Sequence, residues 1–355
     1  MHPNDVLTET EAFLRKEIAP QAMAIDRDPE ALLEALRQLG DRNLLALRVP
    51  QRWSGAGVDG TLLQEFNELL ARYSGSLAFL QAQHQSAGSL LMHSDNEALK
   101  EAYLPLMGTG KALVGISFAH LRREQPPLKA IAVDGGYQLT GEAPWITGWG
   151  FFQTFIAAAV LPDGQAVYGM VPLQTTEQNG GAIVCSEPLA LAAMNSTNTV
   201  TAAFKAWFLP HSQVVCLKPA SAVSKGDRAN VLHHSFFALG CARAGVDILA
   251  TIARVKQQPF IQTAYEALDR ELAQCRNAIR SALVAPDGFD DKLRLRAWAI
   301  ELAVRCAHAA VTASSGAANS MTHPAQRVYR EALTFTVSGQ TTAVMAATLA
   351  RLVKR

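Results

Sequence analysis

Strand-like alternation and tight-turn dipeptides occur only in the middle third of this 355-residue chain, and both flanks carry helical periodicity instead. That order constrains the fold more than any single motif does. A Rossmann-type sheet or a barrel needs strands and helices to alternate along the whole chain, so an α-then-β-then-α order points to a mainly helical α+β protein with a separate antiparallel β-unit. On the N-terminal side, Asp28-Pro29 places a capping residue before a proline at the first helical position. Leu32, Leu36 and Leu39 then line one face, and Gly40 closes the helix. Thr61 with Gln64 has the spacing of a capping box, and Leu62, Phe66, Leu69 and Tyr73 follow as an apolar stripe. Pro50 to Gly57 reads as a turn-rich connector between these two helices, and helical periodicity continues over 77–92 and 97–107.

The pattern changes near Leu113. Ala130 to Val133 and Tyr137 to Thr140 flank Asp134-Gly135-Gly136, and Phe155 to Leu161 with Val167 to Val171 flank Pro162-Asp163-Gly164, which predicts two hairpins. Val200, Ala202, Phe204 and Ala206 alternate as a last strand before Pro210, and every connection reads as an antiparallel turn. After a polar connector over 218–229, helical spacing returns in Leu295, Trp298, Leu302, Cys306 and Ala309 and continues through 341–352. The alanine-rich helices allow close approach, so a C-terminal four-helix bundle is expected. The expected organisation is an N-terminal helical domain over 1–112, a middle antiparallel β-domain over 113–217 and a C-terminal helical bundle over 218–355.

Composition excludes several functions. Hydrophobic residues make up 49% and charged residues 18%, which excludes disorder for most of the chain. Lys and Arg (32) balance Asp and Glu (31), so no overall field draws in nucleic acid or a membrane. The short basic pairs Arg122-Arg123 and Lys354-Arg355 read as solvated surface. The chain lacks a secretory signal pattern and any uninterrupted apolar run of membrane-spanning length, so a cytoplasmic location is expected. Five widely spaced cysteines form no CxxC pair, and no metal site is expected. Gly108-Thr109-Gly110-Lys111 has Pro105 and Ala112 where a phosphate loop needs glycine and a hydroxyl, and no GxGxxG, GxSxG or HExxH is present.

From end to end the arrangement resembles the acyl-CoA dehydrogenase family. The strongest correspondence is Gly135-Gly136-Tyr137-Gln138-Leu139-Thr140-Gly141 followed by Trp145-Ile146-Thr147, where family members carry Gly-x-Tyr-x-x-x-Gly and Trp-Ile-Thr. Pro50 to Gly57 and His323-Pro324 through Arg330-Glu331 resemble two further family segments. The resemblance implies bound FAD, with FMN as an alternative, and flavin contacts at Phe118, His120, Trp145, Ile146, Thr147 and Thr341. It also implies an acyl-CoA substrate and a homodimer or homotetramer.

The departures are as informative. Val337 to Thr341 overlies the family segment that carries the catalytic carboxylate, and the position of that base is Gly339. The alternative family location, on the first helix of the bundle, is Ser235, beside His233 and His234. His120-Leu121-Arg122-Arg123-Glu124-Gln125-Pro126-Pro127 stands where the family has its flavin and thioester loop, and Thr312 to Ala318 stands where it has its adenosine-side glycines. The family's dimer signature is missing near Lys256 to Phe260. With neither carboxylate present, His234 and His120 are the candidate proton-transfer groups, since imidazole titrates near neutral pH. Three readings stay open: a flavin oxidoreductase with a non-standard base, a flavin monooxygenase on the same fold, and a non-catalytic scaffold that has lost flavin. A carboxylate introduced at Gly339 is expected to enter the site and raise dehydrogenase activity.

Overall fold

The computed structural model describes residues 3–178, 180–285 and 288–353, so Lys354-Arg355 lies outside the described residues. Its N-terminal part contains α1 (Pro3–Phe13), α2 (Ala22–Ile25), α3 (Pro29–Asp41), α4 (Gly60–Tyr73), α5 (Gly75–Leu91) and α6 (Glu97–Met107). The Asp28 carboxylate accepts from the Glu30 N–H (3.0 Å) at the start of α3, with Pro29 next, as the sequence implies. Helix α4 is capped differently from expectation. Asp59, not Thr61, accepts from the Leu62 N–H (2.8 Å), and Gln64 is buried rather than reaching back to the cap.

The middle of the chain forms β1 (Val114–Ser117), β2 (Leu128–Val133), β3 (Gly136–Ile146), β4 (Thr154–Val160), β5 (Gln165–Pro172), β6 (Thr176–Gln178), β7 (Gly181–Cys185), β8 (Val200–Pro210) and β9 (Val214–Pro219). They make one sheet in the order β6-β7-β8-β3-β2-β4-β5-β9, with β1 also beside β4. The two predicted hairpins are β2–β3, turning between Val133 and Gly136, and β4–β5, turning between Val160 and Ala166. The expectation that every connection is antiparallel is corrected at β4, which pairs in parallel with both β1 and β2. The chain leaves β1, makes the β2–β3 hairpin and only then returns as β4, and that long excursion supplies the connection parallel pairing needs. The predicted polar connector is part strand and part helix: β9 runs to Pro219 and α7 covers Ala222–Ala229.

Helices α8 (Ser235–Lys256), α9 (Pro259–Val284), α10 (Phe289–Ser314), α11 (Pro324–Val337) and α12 (Thr342–Leu352) complete the chain. Helix α8 is the axis of this part. A Cβ on Gly240 would lie 2.2 Å from the Glu68 carbonyl oxygen, and one on Gly245 would lie 2.7 Å from the Cys306 backbone, so glycine lets α8 touch α4 on one side and α10 on another. By length and apolarity α8 could cross a membrane, but 67% of its most apolar window is buried inside the protein, as for a core helix.

Side chains tie the layers together. Arg330 is paired with the buried carboxylate of Asp26, and buried Glu331 accepts from Arg327 (2.7 Å) and from the Gly75 N–H (3.0 Å). His84, fully buried on α5, accepts from the Val114 N–H at Nδ1 (3.0 Å), which leaves Nε2–H to donate to the Met107 carbonyl (3.1 Å). One imidazole therefore fixes the last turn of α6 and the first residue of the sheet.

Burial pushes the His84 pKa down to about 4, and that of His120, also buried, down to about 4. The unfolded chain takes up these protons first, near a pKa of about 6.5. Their contribution to stability is thus complete above about pH 6.5 and is lost as pH falls toward 4. We expect His84 alone to remove on the order of 2 kcal/mol between pH 7 and pH 4.5. Thermal unfolding across that range should show the fall, and His84→Gln should lower Tm at pH 7 while flattening the slope. A pH-independent Tm would contradict the burial.

Candidate active site

The sheet, α7 and the C-terminal helices enclose a cleft of about 420 Å³. Its apolar wall includes Leu90, Phe118, Val223 and Val344, and its polar wall includes Arg122, Lys218, Asp227, His233, His234 and Arg296, with Gly339 and Thr341 at the α11–α12 turn. The Phe118 ring, at the end of β1, leans on Tyr168 of β5 (centroids 6.1 Å apart), whose hydroxyl burial pushes up to about 12.

Two arginines organise the polar wall. Arg122 grips Asp227 with both ends of its fork (Nε–Oδ2 2.6 Å, Nη2–Oδ1 2.7 Å), which joins the turn after β1 to α7. Arg296 of α10 is only 3% exposed and makes no ion pair among the described residues. It donates from Nη1 to the Val231 carbonyl (2.8 Å) and from Nη2 to those of Ser338 (2.8 Å) and Gly339 (3.0 Å). One guanidinium thus holds the approach to α8 and the turn before α12 in a fixed relation. Burial lowers its pKa to about 10, so it remains charged at neutral pH.

His234 stands between these segments. Its Nδ1 is 3.0 Å from the Ser338 hydroxyl, and its ring leans on Phe237 (5.9 Å). Gly339 has φ +60°, and a Cβ built there would lie 2.7 Å from both Cδ2 and Nε2 of His234. The imidazole therefore fills the space that any side chain at 339 would enter. Burial, then the charges of Arg296 and Arg122, drive the His234 pKa down to about 3, and burial with Arg48 takes that of His233 to about 4. His234 is half-buried, and it lines the cleft.

Of the residues singled out from sequence, Phe118, His234, Gly339 and Thr341 meet at the cleft. His120 does not line it. Its Nε2–H donates to the Ala158 carbonyl of β4 (2.9 Å), and the ring is buried under the sheet with Nδ1 unpartnered. Ser235 is fully buried with no hydrogen bond to its hydroxyl, and Thr341 spends its hydroxyl capping α12 (3.2 Å from the Val344 nitrogen). Trp145, Ile146 and Thr147 sit at a break in register between β3 and β8. There Ile146 is buried, while Trp145 has φ +57° and is 59% exposed. Buried Thr147 shares a hydroxyl contact with Thr199 (3.2 Å), which in turn contacts Thr197 (3.3 Å). Sequence reasoning missed Arg296. The signal was a charged residue between Leu293 and Ile300 on a buried helical stripe.

With this geometry described, comparison with known proteins gives a consistent result. Residues 4–111 match the acyl-CoA dehydrogenase N-terminal domain. A Bacillus subtilis acyl-CoA dehydrogenase is 25% identical over 192 residues, covering 53% of this chain and about half (51%) of that relative. A probable acyl-CoA dehydrogenase from the same organism is 21% identical over 96% of this chain and 94% of its own length. Among solved structures, a glutaryl-coenzyme A dehydrogenase in its glutaryl-CoA complex superposes with a TM-score of 0.83 at 18% identity, covering 99% of this chain and 95% of that one. Residues 4–111 thus carry the acyl-CoA dehydrogenase N-terminal domain, and the whole chain has the fold of the acyl-CoA dehydrogenase family. Members of that family generally bind FAD, act on acyl-CoA and are oligomeric as a rule.

The residues present fit the ring of such a cofactor better than its adenosine end. A non-glycine residue in left-handed conformation costs about 1–2 kcal/mol and persists only where the surroundings enforce it. Here that strain presents a bare indole face, a surface suited to stacking on a planar ring. On the adenosine side, Thr312 and Ser314 turn their hydroxyls back onto His308 and Ala310 of their own helix, and Lys256 covers the Ala313 carbonyl (2.7 Å).

The filled space at 339 revises what a carboxylate there can do. Gly339→Glu alone should unfold at lower temperature and gain no activity, because the left-handed backbone and the His234 ring both oppose it, the first by about 1–2 kcal/mol. Combining it with His234→Ala should recover most of the lost Tm by vacating the ring volume. Calorimetry of the single and double variants checks this, and additive losses would show that the ring is not the obstacle.

Proposed function

We propose that this chain is a cytoplasmic flavin-dependent oxidoreductase of acyl-CoA dehydrogenase type, acting on an acyl thioester or a related small substrate, with His234 in place of the usual carboxylate base. The observation that carries this reading is the His234 ring lying in the volume above Gly339 and opening on the cleft. Bound flavin would supply a two-electron acceptor. Trp145 would hold the ring by stacking, with Phe118 and Thr147 around it and fully buried Ile146 backing the strand, and the adenosine half would be held weakly, so that FMN competes with FAD.

The protein's own residues set the proton chemistry. His234 is neutral at neutral pH. When Nδ1–H donates to Ser338, the Nε2 lone pair is free to take a proton, and Ser338 is itself held in place through its carbonyl by Arg296. A positioned base contributes about 10²–10⁴-fold. Burial, with the charges of Arg296 and Arg122, opposes its protonation, so turnover of a plain saturated acyl-CoA is expected to be slow. The same low basicity favours, as second reading, a flavin monooxygenase on this fold, where substrate need not lose a proton to the protein.

Purified protein should release a yellow flavin on denaturation, and Trp145→Ala should weaken its retention at least severalfold. A colourless protein that takes up neither FAD nor FMN would leave only the scaffold reading. His234→Ala should reduce any native turnover by about 10²-fold or more with little change in KM. Unchanged turnover would remove His234 as the base.

A homodimer or homotetramer is also proposed. Leu333, Val337, Leu349 and Leu352 of α11 and α12 are each more than half exposed, an apolar face that a single chain leaves uncovered. Sedimentation at micromolar concentration should show no monomer.

A further inference from the structure

The cleft carries a charge imbalance that its own residues do not correct. Three permanent cations line it, Arg122, Lys218 and Arg296, against one carboxylate, Asp227, which Arg122 occupies on both oxygens. Lys218 and Arg296 make no ion pair among the described residues. Arg296 has five N–H donors, and the carbonyls of Val231, Ser338 and Gly339 take three of them. Among the described residues its Nε finds no partner, although Arg296 is only 3% exposed. A buried guanidinium with an unused donor and no direct ion pair, Asp227 acting on it only from a distance, is costly unless something in the site completes it. Water or a neutral amide could satisfy the donor, but only an anion also answers the charge.

The cleft also has an apolar side. Leu90, Phe118, Val223 and Val344 form a wall with no charged group among them, so a ligand that fits both parts has an apolar chain and a charged end. We propose that this cleft binds an oxyanion carried on a short apolar chain, and that the substrate is an acyl group ending in a carboxylate, received by Arg296 and Lys218. The assignment rests on the cleft being the substrate site of the function proposed above. The same oxyanion chemistry could also come from a phosphate of the carrier, which the experiment separates.

Isothermal titration of the purified protein with hexanoate, hexanamide and inorganic phosphate tests the site without requiring turnover. Hexanoate should bind at least tenfold more tightly than the isosteric neutral hexanamide, with inorganic phosphate weaker than hexanoate. Arg296→Met and Lys218→Met should each weaken hexanoate about tenfold or more while leaving hexanamide unchanged. Arg296→Met also loses the carbonyl clip and could fail to fold, so Lys218→Met, whose side chain supports no such contact, carries the test independently. Equal binding of acid and amide, or no binding of hexanoate, would overturn the proposal. Phosphate binding without hexanoate would overturn the chain-end assignment and give the charge to the carrier. Flavin content, read from visible absorbance on the same samples, keeps the two hypotheses apart. Hexanoate binding by a colourless protein upholds the anion site while the oxidoreductase reading fails, and a yellow protein blind to hexanoate does the reverse.

Discussion

The cleft depends on Arg296. Its guanidinium reaches three backbone carbonyls from two segments more than 100 residues apart in sequence, one entering α8 and the other linking α11 to α12. Burying a cation this far is unfavourable unless its donors are met, and carbonyl dipoles meet most of the requirement without cancelling the charge. The result is a rigid turn at Ser338-Gly339 beside a permanent positive potential. Both features define what His234 can be: the turn gives Nδ1 a fixed hydroxyl partner, and the potential adds to burial in keeping the ring neutral.

A chain that places an imidazole where a carboxylate would ordinarily enter has made a steric exchange as well as a chemical one. Glycine at 339 serves two ends, since it accepts φ +60° without strain and leaves the ring its volume. The two positions are therefore coupled, and neither can be interpreted alone.

Much of the architecture was legible because it follows local rules. The β2–β3 and β4–β5 hairpins announce themselves through Asp-Gly turns between alternating residues, and the Asp28-Pro29 cap marks the start of α3 where the structure has it. The elements that escaped notice depend on distant partners. Strand β1 is four residues long and exists because β4 lies beside it, and β6, β7 and β9 likewise lack the length to show periodicity. The same division holds at the site. Phe118, His234, Gly339 and Thr341 could be found from the family resemblance, but the buried state of His120 and Ser235 could not, because burial depends on the sheet and on α8 packing. Arg296 was visible only as a charge misplaced on an apolar stripe, a signal that says a partner exists without naming it.

The electrostatics of the cleft connect proton transfer to ligand charge. Burial first, and then the charges of Arg296 and Arg122, lower the His234 pKa, so with only protein around it the ring is a poor proton acceptor. An anion seated against Arg296 would offset part of that positive potential and favour the imidazolium, and each unit by which the pKa rises lowers the cost of protonating the ring by about 1.4 kcal/mol. A neutral ligand of the same shape would fill the apolar wall yet leave the ring as weakly basic as before. Discrimination between the two would then arise twice, once in binding and again in the basicity of the group that must take the proton, so a charged chain end would be selected more strongly in turnover than in affinity.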